Sequence, residues 1–81
     1  MTNKEYLEIF KEAGLIRSPI VRFLEQQIQT LTRLQDSFSE HGDNDNAEIA
    51  RHAAEKAKWE TIEIAEYEKA NGMIKVNLGG N

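Results

Sequence analysis

The chain has 81 residues, no cysteine and a net charge of −4. This length allows one domain with a modest core, and the lack of cysteine excludes disulfides and thiolate metal sites. Without a basic stripe, direct nucleic-acid binding is not expected. The segments with few charges are far shorter than the ~20 apolar residues of a membrane span, and the charged N-terminal segment has no signal-peptide core. We therefore expect a single cytoplasmic domain, residues 1–81, that does not contact membranes.

The first predicted element is a short helix over residues 3–13. Thr2 and Glu5 have the spacing of a capping box, in which each side chain accepts a hydrogen bond from the other residue's backbone N–H. Gly14 suits the left-handed position that ends a helix. Leu15 can then fold back onto the last turn, as such helix ends prefer.

A second, longer helix is predicted over residues 19–40. Ser18 suits the N-cap, and Pro19 suits the first helical position, where a missing N–H costs nothing. Apolar residues then recur at spacings of four and three, which places them in a stripe roughly 120° wide, with charged side chains opposite. The stripe consists of Ile20, Leu24, Ile28, Leu31, Leu34 and Phe38.

The segment that follows, HGDNDNAE at 41–48, raises the question of a calcium-binding loop. An EF-hand loop beginning at Asp43 needs an oxygen ligand at its fifth position and glycine at its sixth. The chain has Ala47 and Glu48 there. We interpret the segment as a bend between helices, with Asp45 as the N-cap of the third helix.

The third helix is predicted over residues 46–71, with a stripe of alanines that permits close approach of another helix. The short link makes the two long helices an antiparallel hairpin, so the predicted fold is all-α. The stripe of the second helix is wider than one alanine-rich neighbour covers. We therefore expect two copies to complete a four-helix bundle, as a homodimer or higher oligomer. In the tail, residues 73–81, the alternation over Met73–Leu78 favours a short strand or an extended segment.

Trp59 is the most informative single residue, because it lies on the side of the third helix opposite the alanine stripe. An indole there packs against the first helix or a second copy, or it anchors another protein. Residues 41–70 contain eight acidic and four basic side chains, which favours a partner with a basic surface. The predicted partner-binding residues are Trp59, Ile62, Glu63 and Glu66.

The sequence shows no set of residues typical of an active site. His41 and His52 are not part of a nucleophile motif. Glu48, His52 and Glu55 share one helix face, but a di-metal site would need a second motif on another helix, which is missing. We therefore predict no catalytic residues, no metal site and no cofactor.

The leading hypothesis is a non-enzymatic protein that binds and modulates a larger protein. Three features favour it: the lack of a catalytic set, a tryptophan outside the alanine stripe, and a strand-like C-terminal segment available for edge pairing. In its overall look, short, acidic, cysteine-free and all-helical, the sequence resembles small phage and bacterial accessory proteins. The alternative is an oligomer that binds or sequesters a nucleotide-like ligand. In that case Tyr6, Arg17 and Arg22 would hold its phosphates near the N-terminus of the second helix.

Overall fold

The computed structural model describes residues 1–72, which form three helices: α1 is Asn3–Ala13, α2 is Pro19–Glu40 and α3 is Asn44–Asn71. The predicted all-α fold is therefore confirmed for this part of the chain. The strand or tail predicted at residues 73–81 lies outside the described residues. Among the three helices, none combines the length and the apolar character needed to cross a membrane.

Both ends of α1 agree with the sequence prediction. Thr2 Oγ1 accepts a hydrogen bond from the Glu5 N–H at 3.1 Å, and Glu5 Oε1 accepts one from the Thr2 N–H at 2.7 Å. Gly14 has a φ of 64°, in the left-handed region that a residue without Cβ adopts readily. The Leu15 N–H then donates to the carbonyl of Phe10 at 2.9 Å. This ending turns the chain sharply toward the start of α2.

The bounds of α2 are those predicted, but α3 begins two residues earlier than predicted. Gly42, with a φ of 76°, reverses the chain directly after α2. Asp43 then caps α3 by accepting a hydrogen bond from the Asn46 N–H at 3.2 Å. The prediction that Asp45 is the N-cap was wrong, because Gly42 completes the reversal soon enough for Asp43 to cap. Asp45 instead lies in the first turn, where the helix dipole favours a carboxylate.

The two long helices pack against each other as an antiparallel hairpin. Ser18 at the start of α2 donates its hydroxyl hydrogen to Glu68 Oε1 near the end of α3, at 2.6 Å. Both residues are buried. The other buried residues on this face of α3 are small, which lets the helix backbones approach closely. They are Ala47, Ala50, Ala54, Thr61 and Ala65.

Helix α1 covers one side of the hairpin and completes the main core cluster there. The rings of Tyr6 and Phe10 lie 4.9 Å apart between centroids, in a tilted arrangement that aromatic pairs favour. They contact both long helices, through Val21 of α2 and through Ile62 and Ala65 of α3. The core therefore lies where α1 crosses the hairpin.

Candidate protein-binding surface

Trp59 lies on the outer side of α3 and is half exposed. Its indole Nε1–H donates to Glu55 Oε2 at 3.0 Å, one helical turn earlier. This hydrogen bond restrains the orientation of the ring while leaving much of its apolar surface in contact with water. Trp59 therefore does not belong to the core cluster around α1.

Glu55 keeps a negative charge beside the indole. Its carboxylate also forms an ion pair with the ammonium group of Met1. The hydrogen bond from that ammonium, followed by the smaller effect of the Trp59 hydrogen bond, lowers the pKa of Glu55 below its ordinary value. Lys58 donates to the Met1 carbonyl at 3.0 Å, which further ties the first residue to α3.

Two more carboxylates flank the tryptophan. Glu63 and Glu66 are exposed. At about 100° per residue they lie within about 40° of Trp59 around the helix axis, on either side of it. We call the patch formed by Trp59, Glu63 and Glu66 the Trp59 surface. It combines a restrained aromatic ring with a negative rim.

The fourth residue predicted for this surface, Ile62, does not belong to it. Ile62 is only 3% exposed and packs in the core cluster with Tyr6 and Phe10. It lies about 60° from Trp59 around α3, on the side that α1 covers. The prediction of Ile62 as a partner contact is therefore corrected: its side chain stabilises the fold.

The sequence prediction also missed two exposed apolar residues of α3, Ile49 and Tyr67. They are 18 positions apart, which is five full turns, so they lie at the same angle around the helix. That angle is about 80° from Trp59, on the side away from Ile62. The spacing of 18 residues already places Ile49 and Tyr67 on one side of the helix. The charged residues between them make that shared side hard to see in the sequence.

Two of the residues predicted to bind phosphate in the alternative hypothesis, Tyr6 and Arg17, are joined through the Glu25 carboxylate. Arg17 donates to both oxygens of Glu25, with Nη2 at 3.0 Å from Oε1, and the Tyr6 hydroxyl donates to Glu25 Oε2 at 2.7 Å. Burial, and then the bond to Glu25, raise the pKa of Tyr6 well above its ordinary value. Arg22 Nε donates to the Arg17 carbonyl at 3.0 Å. An anionic ligand would have to displace the Glu25 carboxylate from this cluster.

Glu48, near the start of α3, makes local contacts along the helix. Glu48 contacts Arg51, and its Oε2 lies 3.1 Å from His52 Nε2. The Arg51 hydrogen bond is the main reason that the pKa of Glu48 is below its ordinary value. Glu55 turns toward Met1 and Trp59 instead. Within residues 1–72, His, Asp and Glu side chains form no group of three or more placed to hold a metal ion.

A groove lies beside the N-terminus of α1 and is lined by residues of all three helices. Its volume is about 500 Å³, within the range of small-ligand sites, which runs from about 300 to 1,000 Å³. Arg33 and Lys58 give it two cationic side chains. It is lined by Asn3, Ile28, Gln29, Thr32, Arg33 and Lys58.

Comparisons of the chain with protein-family models, with curated proteins and with solved structures found no significant match. Support for a function therefore comes from the chemistry of its own surfaces. Two of them suit a binding partner: the acidic Trp59 surface on α3, and the cationic groove beside α1. They face different sides of α3 and offer opposite charges.

Proposed function

We propose that the chain is a small non-enzymatic interaction protein, of the phage or bacterial accessory type, that binds and modulates a larger protein through the Trp59 surface. It acts as a homodimer in which two hairpins form a four-helix bundle. The observation that supports binding is the half-exposed indole of Trp59, restrained by its hydrogen bond to Glu55. Tryptophan is enriched among residues that dominate interface energetics, and a restrained side chain loses less entropy on binding.

The charge of the Trp59 surface supports a partner with a basic surface. Glu63 and Glu66 place two carboxylates beside the indole, whereas the charge of Glu55 is paired with the Met1 ammonium. Opposite charges across an interface speed association and exclude partners of like charge. Because Glu63 and Glu66 are exposed, salt at or above about 0.15 M screens the attraction, so binding should weaken as salt rises.

The test is capture of proteins from an extract of the source cells on immobilised wild type, Trp59→Ala and Tyr67→Ala. Tyr67 is a matched control, since it is an exposed aromatic residue on the same helix. We expect one protein to be retained by wild type and by Tyr67→Ala but lost with Trp59→Ala. Truncating a dominant contact costs about 2 kcal/mol or more, which corresponds to a roughly 30-fold weaker affinity.

Circular dichroism of the three proteins is the control for folding. Because Trp59 is half exposed, the helicity of Trp59→Ala should match that of wild type. The proposal is wrong if no retained protein distinguishes Trp59→Ala from Tyr67→Ala. It is also wrong if Trp59→Ala unfolds, because Trp59 would then stabilise the fold.

The groove beside α1 favours a second candidate function, the binding of a nucleotide-like ligand, but at a different site from the one predicted. Arg33 and Lys58 line this groove, and Lys58 also donates to the Met1 carbonyl, whereas Arg17 is bonded to Glu25. The test is the melting temperature with adenosine and guanosine phosphates, on wild type and on Arg33→Gln. A ligand-binding function predicts a rise in melting temperature that the variant loses, and equal temperatures with and without ligand would contradict it.

A further inference from the structure

One side of α2 has no charged residue along the length of the helix. At about 100° per residue, six residues fall within about 80° around the axis. Three of them are large apolar side chains in contact with water: Ile20 is 38% exposed, Phe23 60% and Leu34 43%. We call this set the charge-free face of α2. Its members are Ile20, Phe23, Gln27, Leu31, Leu34 and Phe38.

This face points away from α1. The α2 residues buried against α1 and α3, Val21 and Ile28, lie about 100° and 80° from Ile20 around the axis, on the opposite side from Phe23. On α3, three half-buried residues lie on the side of the helix away from Ile62, and two of them are small, which permits a close approach. They are Ala53, Ala57 and Ile64. Within residues 1–72, the hairpin therefore has one side packed against α1 and one open apolar side that no helix covers.

The size of the open side matches what a stable dimer needs. Helix α2 has 22 residues, so at ~1.5 Å per residue it is about 33 Å long, and two adjacent helices are about 20 Å wide. The footprint of the open side, its length times its width, is thus on the order of 700 Å² per copy. A standard interface buries about 800 Å² per partner, and its centre is depleted of charged residues.

The net charge of the chain indicates which molecule fits against the charge-free face of α2. Each copy has a net charge of −4, so two copies repel wherever acidic residues would meet. The charge-free face of α2 lets two copies approach with no charged side chain of α2 at the centre of the contact. A basic partner gains nothing from this face, whereas it is attracted to the Trp59 surface.

We infer that a second copy of this chain covers the charge-free face of α2, so that two hairpins stack with both copies of α1 on the outside. This extends the proposed function by assigning the dimer interface to named residues. Trp59 lies roughly 140° around α3 from Ala53, Ala57 and Ile64, so the contact leaves it uncovered. The dimer therefore displays two Trp59 surfaces and binds two partner molecules.

The first test is solution mass by light scattering for wild type, Leu34→Glu and Leu7→Glu. The two leucines are matched, with exposures of 43% and 41%, but Leu7 lies on α1. Wild type and Leu7→Glu should have twice the 9.3 kDa chain mass. Leu34→Glu should fall to the chain mass at the same concentration and remain helical. A wild-type mass of one chain overturns the inference, and so does a dimer that Leu34→Glu leaves intact.

A second test does not depend on a disruptive variant. The chain has no cysteine, so Gln27→Cys and Gln29→Cys each introduce one thiol. Both glutamines are exposed, but Gln27 lies on the charge-free face and Gln29 about 160° away. Alkylation of Gln27→Cys should slow at least fivefold as protein concentration rises through the dissociation constant, whereas Gln29→Cys should not change. Equal rates at all concentrations refute the dimer face, while loss of capture with Trp59→Ala would still support partner binding through the Trp59 surface.

Discussion

The buried contact between Ser18 and Glu68 gives the sharpest prediction about stability. The bond joins the N-cap of α2 to the last turn of α3, and its partners are 5% and 4% exposed. The Ser18 Oγ also accepts a hydrogen bond from the Val21 N–H at 3.2 Å, so a single hydroxyl caps α2 and links the two helices. Glu68→Ala removes the link and leaves the cap in place.

The expected loss is the sum of two contributions. A hydrogen bond to a charged group contributes about 1.5–3 kcal/mol, and the two methylenes of Glu68 add up to roughly 0.8 kcal/mol each when buried. We therefore expect Glu68→Ala to lower the free energy of unfolding by about 2–4 kcal/mol. Glu68→Gln keeps an acceptor and the methylenes, so its loss should be about 1 kcal/mol.

The assay is urea unfolding followed by circular dichroism, at one fixed protein concentration because dimer dissociation contributes to the apparent stability. With a slope near 1 kcal/mol per molar urea, a 2 kcal/mol loss lowers the midpoint by about 2 M. A double-mutant cycle with Ser18→Ala isolates the bond from the lost cap, which itself contributes about 1 kcal/mol. The coupling energy should be about 1.5–3 kcal/mol.

Two results would refute this account of Glu68. A coupling energy near zero would mean that the two side chains do not stabilise each other in solution. A Glu68→Gln variant as unstable as Glu68→Ala would mean that the hydrogen-bond acceptor is not what matters at this position.

Further predictions concern Tyr6 and the start of α3. Tyr6→Phe should cost about 1–2 kcal/mol at pH 7, since it removes the bond to Glu25. The pKa of Tyr6 is raised in the folded state, so its contribution is complete below the ordinary tyrosine pKa of about 10 and is lost as pH rises above it. The stability difference between wild type and Tyr6→Phe should therefore shrink in urea titrations above pH 10, and a difference that grows there would contradict the assignment. Asp43→Ala should lower stability by about 1 kcal/mol and Asp45→Ala by clearly less; the reverse order would restore Asp45 as the N-cap.

Helix ends were predictable where few residue types satisfy the local chemistry. A capping box, a serine before proline and a left-handed glycine each satisfy a local requirement of a helix end that few other residue types can meet. The bounds of α1 and α2 followed directly. The start of α3 was less certain, because Asp43 and Asp45 are both competent caps and only the path of the chain through Gly42 selects between them.

Side-chain roles that depend on tertiary packing were not predictable from one helix at a time. Ile62 and Trp59 are three residues apart, yet α1 covers the first and leaves the second exposed. Glu68 is 18 residues after Ala50 and so lies at the same angle around α3 as the alanine stripe. Its buried carboxylate is hydrogen-bonded because the packing of the two helices places Ser18 opposite it. The periodicity of the sequence shows which residues share a face of a helix, whereas the element that packs against that face is known only from the fold.

Trp59 is the sole tryptophan of the chain, and its indole is half exposed on a surface that none of the helices in residues 1–72 covers. Its intrinsic fluorescence therefore reports on the environment of this one position of α3. Burial of the ring should shift its emission to shorter wavelength, whereas contact along the charge-free face of α2 leaves the ring in water. The emission wavelength of the unlabelled protein can thus distinguish binding of a partner at the Trp59 surface from dimerisation through α2.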